Sequence, residues 1–352
     1  MSKAQQSAQD FARATALLQQ GRFAEAIPIY QTVLRREPKN IGAANLLGIA
    51  FMQSGKLEEA AAAIRGGLRV DPAQADAHFN LGAVLQSLHR FEEAILHLRE
   101  ATSLRPDDAQ AHNNLGVALK SAERLQEAAA AYEQAIVLRP DYGEARSNLA
   151  AVLYLLKRYR DAIEQAEKAL ALNPNLAEAY LSIGNSLSAE GHVEEGLSAI
   201  DRAIRLQPGS PVGYILAANL LFEDSRYERA IPYFEKAIML ESDVPAFHFR
   251  LASCLHVTGR YAEANAVAQS GFSRLPEKLK ADDEISIGDF LLEADRHEQA
   301  LLHFQKALAI DPGCTIIGYA RALEMAGRFD EALQQIDRAL TLTPADERLR
   351  LN

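Results

Sequence analysis

Three asparagines stand 34 residues apart, Asn80, Asn114 and Asn148, and Ser182 follows at the same interval. A carboxamide carries two N–H donors and a carbonyl acceptor. A row of such groups at a fixed interval can hold an extended peptide by its main chain, whatever the peptide's side chains. No other set of residues in the chain carries so pointed a chemistry. The nine histidines do not gather into one set. His78, His112 and His248 recur at multiples of the same interval and read as half-buried packing residues. His97 and His303 read as exposed. No Cys/His spacing resembles a zinc site. The two cysteines, Cys254 and Cys314, make no disulfide framework and point to a reducing compartment. Carboxylate pairs such as Glu58-Glu59, Glu92-Glu93 and Glu194-Glu195 stand where helices begin, and there they favour the helix dipole without any catalytic role. Neither a phosphate-binding loop nor a nucleophile elbow is visible. The expectation is a protein with no active site, no cofactor and no metal.

The interval itself says what positions the amides. Prolines fall at 38, 72, 106, 140, 174 and 208, an unbroken period of 34. Such a period marks stacked supersecondary units. Residues 75–108, ADAHFNLGAVLQSLHRFEEAILHLREATSLRPDD, are followed by a second edition, AQAHNNLGVALKSAERLQEAAAAYEQAIVLRPDY. Numbered from 1 to 34 with Ala75 as position 1, ten repeats begin at residues 7, 41, 75, 109, 143, 177, 211, 245, 281 and 313. They fill residues 7–346, leaving a polar extension at 1–6 and a short cap or truncated helix at 347–352. Position 8 is Gly or Ala throughout, for example Gly48, Gly82, Gly116 and Ala150. Position 20 is Ala except for Gly196, and position 27 is small except for Val33. Within a repeat, Phe79, Leu81, Val84, Leu85 and Leu88, then Phe91, Ala94, Ile95, Leu98 and Leu104, recur at helical spacing, which predicts two amphipathic helices. The break between them is His89-Arg90 here and a glycine in other repeats, such as Gly21 and Gly55, suited to a left-handed helix end. Pro106 ends the second helix. So short a turn makes the two helices antiparallel. Pro28 and Pro232, at position 22, are expected in or near the first turn of the second helix, where a missing N–H costs little. After residue 245 the register loosens, and the charged stretch RLPEKLKADDE reads as a longer turn rather than a change of pitch.

The small residues at positions 8, 20 and 27, with the proline at 32, resemble those of tetratricopeptide repeat proteins over essentially the whole chain. The resemblance implies an all-α fold, a right-handed α-solenoid superhelix of ten helix pairs. It also implies that positions 2, 5, 6, 9, 12 and 13 of the first helices face a concave groove. Carried over, these positions hold Asp76, Phe79, Asn80 and Gln86, then Asn113, Asn114 and Lys120, then Asn148 and Tyr154. Glu178, Ser182, Asn185 and Asn219 follow, then Arg250, His256, Asp282 and Asp289. The asparagine column is similar to the amide ladder in the repeat arm of O-linked N-acetylglucosamine transferases. The competing reading is that asparagine at position 6 merely bonds neighbouring helices. A carboxylate clamp of the co-chaperone kind fits poorly. Asn185 and Arg250 match it, but Leu181, Leu216 and Ala246 stand where two lysines and an asparagine are needed.

Bulk properties narrow the partners. A formal net charge of −10 disfavours nucleic acid and anionic membrane surfaces as ligands. The longest apolar run, residues 149–156, is too short to span a bilayer, and the N-terminus lacks an apolar signal core, which points to the cytoplasm. The function expected is a protein–protein interaction scaffold holding an extended peptide or a partner helix, not an enzyme. Two alternatives are a targeting arm of a larger enzyme, a glycosyltransferase first, and a module that self-associates through its C-terminal end, where only ADERLRLN follows Pro344.

Overall fold

The computed structural model describes residues 3–241, 243–312 and 317–342, with the side chains of 339–342 excepted. Among the described residues every regular element is an α-helix, twenty in all, two to a repeat. Contacts divide the chain into two compact parts, Met1–Ser186 and Leu187–Asn352. Cys314, Ser242 and the terminal stretch from Pro344 to Asn352 lie outside the described residues.

The first part holds α1 (Lys3–Gln19), α2 (Phe23–Arg36), α3 (Ile41–Gln53), α4 (Leu57–Leu68), α5 (Ala75–Ser87), α6 (Phe91–Leu104), α7 (Ala109–Ser121), α8 (Leu125–Leu138), α9 (Gly143–Leu155) and α10 (Tyr159–Leu172), with α11 (Ala177–Ala189) running across its end. Two first helices, α3 and α7, open on a side-chain cap. Asn40 Oδ1 accepts the Ala43 N–H at 2.9 Å, and Asp108 Oδ1 accepts those of Gln110 and Ala111 at 3.0 and 3.1 Å. Each cap satisfies donors that the first helical turn leaves open.

The turn inside each repeat is closed the same way throughout. The His89 N–H bonds the Gln86 carbonyl and the Arg90 N–H reaches back to Leu85, both at 2.9 Å. That pair of bonds is a Schellman motif, and it needs a left-handed residue at position 15. Gly21, Gly55, Gly191, Gly259 and Gly327 take that conformation freely. His89, Glu123, Lys157, Ser225 and Asp295 are forced into the same one, with φ between 56° and 60°. The turn geometry overrides residue preference in half of the repeats.

Small residues seat the helix pairs. A Cβ built on Gly82 would lie 2.5 Å from Leu98 Cγ, and one on Gly116 would lie 2.6 Å from Tyr132. Position 8 thus presses on position 24. Position 4 meets position 23, as His78 Nδ1 and His97 Nδ1 show at 3.0 Å and Arg146 and Gln165 at 3.1 Å. A Cβ on Gly67, at position 27, would lie 3.2 Å from Ala44 and 3.5 Å from Ile41, at positions 4 and 1, whereas one on Gly48, at position 8, would lie 3.2 Å from the Ala60 carbonyl oxygen, at position 20. The late part of the second helix thus meets the early part of the first, and the pair is antiparallel. The second helix of a repeat packs on the first helix of the next, as α6 does on α7 and α8 on α9, while across the long connection after α16 it is α15 that packs on α17. Leu81, Val84, Leu85, Ile95 and Leu98 are fully buried in the resulting core. Full burial of one such side chain stabilises by about 1.5–3 kcal/mol. Between repeats, ion pairs such as Arg65–Glu93 at 3.0 Å and Arg99–Glu127 at 2.6 Å link the second helices.

The second part holds α12 (Val193–Leu206), α13 (Pro211–Glu223), α14 (Tyr227–Leu240), α15 (Pro245–Val257), α16 (Tyr261–Phe272), α17 (Ala281–Glu293), α18 (His297–Ile310), α19 (Ile317–Met325) and α20 (Phe329–Leu342). Its core is more aromatic, with Phe249, Phe290 and Phe304 buried together. Gly288 repeats the Gly82 arrangement, its added Cβ falling 2.5 Å from Phe304. The connection from α16 to α17 occupies residues 273–280, against 241–244 between α14 and α15.

Two expectations need correction. Pro28 and Pro232 lie inside α2 and α14, beyond the first turn. Each therefore removes a helical hydrogen bond instead of occupying a position that has none to lose. His97 and His303 are half-buried rather than exposed. The cause is the contact between positions 4 and 23: His97 faces His78, and His303 Nδ1 lies 2.5 Å from Glu284 Oε2.

Candidate functional site

In the first part, the first helices of successive repeats bring the asparagine column onto one face. Asn80, Asn114 and Asn148 are all half-buried on α5, α7 and α9. The Asn80 Nδ2 group donates to Asn45 Oδ1 at 3.0 Å, and Asn148 Nδ2 donates to Asn113 Oδ1 at 3.1 Å. Each of these amides therefore uses one N–H to bind the preceding repeat and keeps a second N–H and its carbonyl. The Asn114 side chain has no hydrogen bond among the described residues. Instead its backbone carbonyl accepts Gln86 Nε2 at 2.8 Å, which links α5 to α7. Ser182 does not continue the column as a free group, because its hydroxyl donates to the Glu178 carbonyl at 3.0 Å.

The other groove candidates of this part fall into two sorts. Asp76 is exposed and paired to Arg105 at 2.9 Å, and Phe79 packs on the core. Asn113 is buried as the acceptor for Asn148. Lys120, Tyr154 and Asn185 are half-buried, with the Tyr154 ring 5.9 Å from that of Tyr159.

The second part contains a groove of about 430 Å³ lined from α13, α15, α17 and α19. Arg250 and Asp289, two groove candidates from the sequence, line it. Arg250 Nη1 donates to Asn219 Oδ1 at 2.6 Å, so a third candidate orients the guanidinium. Asp289 keeps part of its surface open to the groove, yet dense packing around its carboxyl drives its pKa up to about 7. Desolvation dominates; Arg250 and Arg321 oppose it and Glu293 adds to it. Arg321 is tied to Glu293 at 2.9 Å. Ser253, Gly318 and Arg321 also line the groove, although reading the sequence did not single them out. They stand at positions 9, 6 and 9 of their repeats, so the same column logic, extended to the last repeats, would have found them.

Cys254 is buried and desolvation pushes its thiol up to about 12. The His97 pKa is lowered, first by desolvation and then by His78. No group of three or more His, Cys, Asp or Glu side chains suited to a metal ion exists among the described residues. No described helix is long and apolar enough to cross a membrane.

Comparison with known proteins bears on this arrangement. One tetratricopeptide repeat model matches residues 11–75, 45–87, 81–143 and 215–271, more than half of the chain. Three further tetratricopeptide repeat models match 143–176, 177–210 and 291–351. No curated protein matches the chain. Among solved structures, a tetratricopeptide repeat protein from Parabacteroides merdae is 18% identical, with 77% of this chain and 93% of that one covered and a TM-score of 0.55. That likeness is one of fold. PilF of Pseudomonas aeruginosa is 26% identical over 57% of this chain and 92% of its own, with a TM-score of 0.49. YrrB, described as a repeat protein with an unusual peptide-binding site, is 25% identical over 56% and 99%, with a TM-score of 0.42. The repeat models together take in most of the sequence, and the helix pairs follow the same register: the chain belongs to the tetratricopeptide repeat family.

Proposed function

We propose that the chain is a protein–protein interaction scaffold that holds an extended peptide along the first helices of repeats three to five. Proteins of this repeat family generally mediate such interactions. The observation that carries the reading is the half-buried amide column. Asn114 has a carboxamide with no partner among the described residues, flanked by Asn80 and Asn148, each with one N–H and one carbonyl still open. An extended backbone presents alternating N–H and C=O groups, which such amides match in both directions.

Asn114→Ala separates binding from packing, because the Asn114 side chain bonds no neighbour. Against an array of extended peptides, Asn114→Ala is expected to weaken capture with an unchanged melting curve. The triple variant Asn80→Ala, Asn114→Ala, Asn148→Ala is expected to abolish capture at unchanged helicity. Undiminished peptide capture by the triple variant would rule the groove out.

A further inference from the structure

We propose that the groove lined by α13, α15, α17 and α19 binds a lysine or arginine side chain of a peptide, with Asp289 as its counter-charge and Ser253 as a second acceptor. This site lies in the second part of the chain and does not rest on the amide column.

Two polar groups on the groove lack the partners their surroundings call for. The Ser253 side chain is 2% exposed and its hydroxyl oxygen has no hydrogen-bond partner among the described residues. The Asp289 carboxylate likewise accepts no hydrogen bond among them. Ser253 is buried and Asp289 half-buried, and an unpaired hydroxyl and an unpaired carboxylate that line one groove leave acceptors which a ligand with donors would satisfy. Room for the carboxylate is built in. A Cβ on Gly318 would lie 2.5 Å from Asp289 Oδ1, so a glycine is what lets the carboxyl group occupy that place.

The charges decide which donor. Arg321 is neutralised by Glu293, and Arg250 is anchored to Asn219. Glu223, which also lines the groove, has no ion-pair partner among the described residues. With Asp289 ionised, Glu223 and Asp289 outweigh Arg250 by one negative charge, which a single cation cancels. An anionic ligand would instead meet three carboxylates. Arg250 is within electrostatic range of Asp289, yet the carboxyl remains near neutral pKa, so the arginine does not satisfy it. A cation that donates hydrogen bonds directly would favour the ionised form. Phe222 and Tyr227, in edge contact at 5.5 Å, together with Val257 and Leu292, supply an apolar wall for an aliphatic stem. An acidic floor under such a wall suits a long basic side chain, whose stem is apolar and whose head is charged. The volume lies within the roughly 300–1,000 Å³ of small-ligand sites.

The test uses the full chain and three peptides: acetyl-Ala-Lys-Ala-amide, its norleucine analogue and its glutamate analogue. Binding is read from the carboxyl carbon shift of Asp289. The lysine peptide is expected to bind, to lower the Asp289 titration midpoint, and to bind roughly tenfold tighter than the norleucine peptide. Asp289→Asn and, separately, Gly318→Ala are expected to remove that preference, the latter by driving the carboxyl from its place. For Asp289→Asn, where the reporter is lost, binding is read by calorimetry. The triple asparagine variant is expected to bind the lysine peptide as the wild type does, which keeps this test separate from that of the amide column. Preference for the glutamate peptide would assign the groove to Arg250 and Arg321 and overturn the proposal. So would a lysine preference that survives Asp289→Asn, or no binding of the lysine peptide at millimolar concentration.

Discussion

The contact between positions 8 and 24 can be tested by exchanging its two halves. Gly82→Ala adds a methyl group that would stand 2.5 Å from Leu98 Cγ and 2.9 Å from Leu98 Cδ2. Leu98 is fully buried and has no solvent to turn into. Overpacking of this kind costs about 1–3 kcal/mol, while replacing glycine by alanine inside a helix returns about 1 kcal/mol. The single variant should therefore be destabilised by about 0–2 kcal/mol. Leu98→Ala alone should cost about 2–5 kcal/mol through the cavity it leaves. In the double variant the new methyl group fills part of that cavity and the clash is gone. The chain already contains this pairing, since Ala150 faces position 24 as Ala166, and both are fully buried. The double variant should thus be more stable than the sum of the singles implies, by about 1–3 kcal/mol. Repeat arrays need not unfold in one step. The measurement is therefore native-state hydrogen exchange on the amides of α5 and α6 rather than a single melting temperature. Additivity within about 0.5 kcal/mol would refute the reasoning, because it would mean that the glycine and the leucine do not press on each other.

Four further outcomes follow from named atoms. Tyr132 is fully buried with a hydroxyl that finds no partner among the described residues, and desolvation pushes its pKa up. Tyr132→Phe should then be neutral or stabilising by about 1 kcal/mol in a urea melt. Tyr30→Phe should lose about 1 kcal/mol, because the Tyr30 hydroxyl meets Thr15 at 3.0 Å. Lys157 sits in the left-handed region at φ 60°. Lys157→Gly removes about 1–2 kcal/mol of backbone strain and adds about 0.5–1 kcal/mol of unfolded-state entropy, so exchange in α9 and α10 should slow slightly; faster exchange would contradict the strain. Glu194 is held by Arg229 and Arg226, which bring its pKa down from 4.5 to about 2. A depressed carboxylate stabilises the fold above its unfolded pKa. That contribution fades as pH falls from about 4.5 towards 2, and a carboxyl titration of Glu194 with its midpoint at the ordinary value would refute the pairing.

Much of the site was legible because the repeat fixes which residues share a face. In the second part Arg250 and Asp289 line one groove, and Arg250 is bonded to Asn219 of the preceding repeat. Position alone did not reveal how the amides are used. Asn80 and Asn148 bind the preceding repeat through Asn45 and Asn113, whereas Asn114 does not, although all three have the same place in the register. That difference depends on a residue at position 5 of the preceding repeat. The exposure expected for His303 fails for a similar reason: its partner Glu284 lies 19 residues away in sequence and only the helix pairing brings the two together.

Sequence alone determined the period, the helix pairs, the small residues at their crossings and the face on which the column lies. Those features are local or strictly periodic, so helical geometry carries them forward from one repeat to the next. Tertiary structure decided which polar groups are already satisfied, which of five non-glycine residues bear a left-handed turn, and how far a carboxyl such as Asp289 is removed from water. These depend on the distances between side chains of different helices and on the packing around them, and no spacing along the chain encodes either.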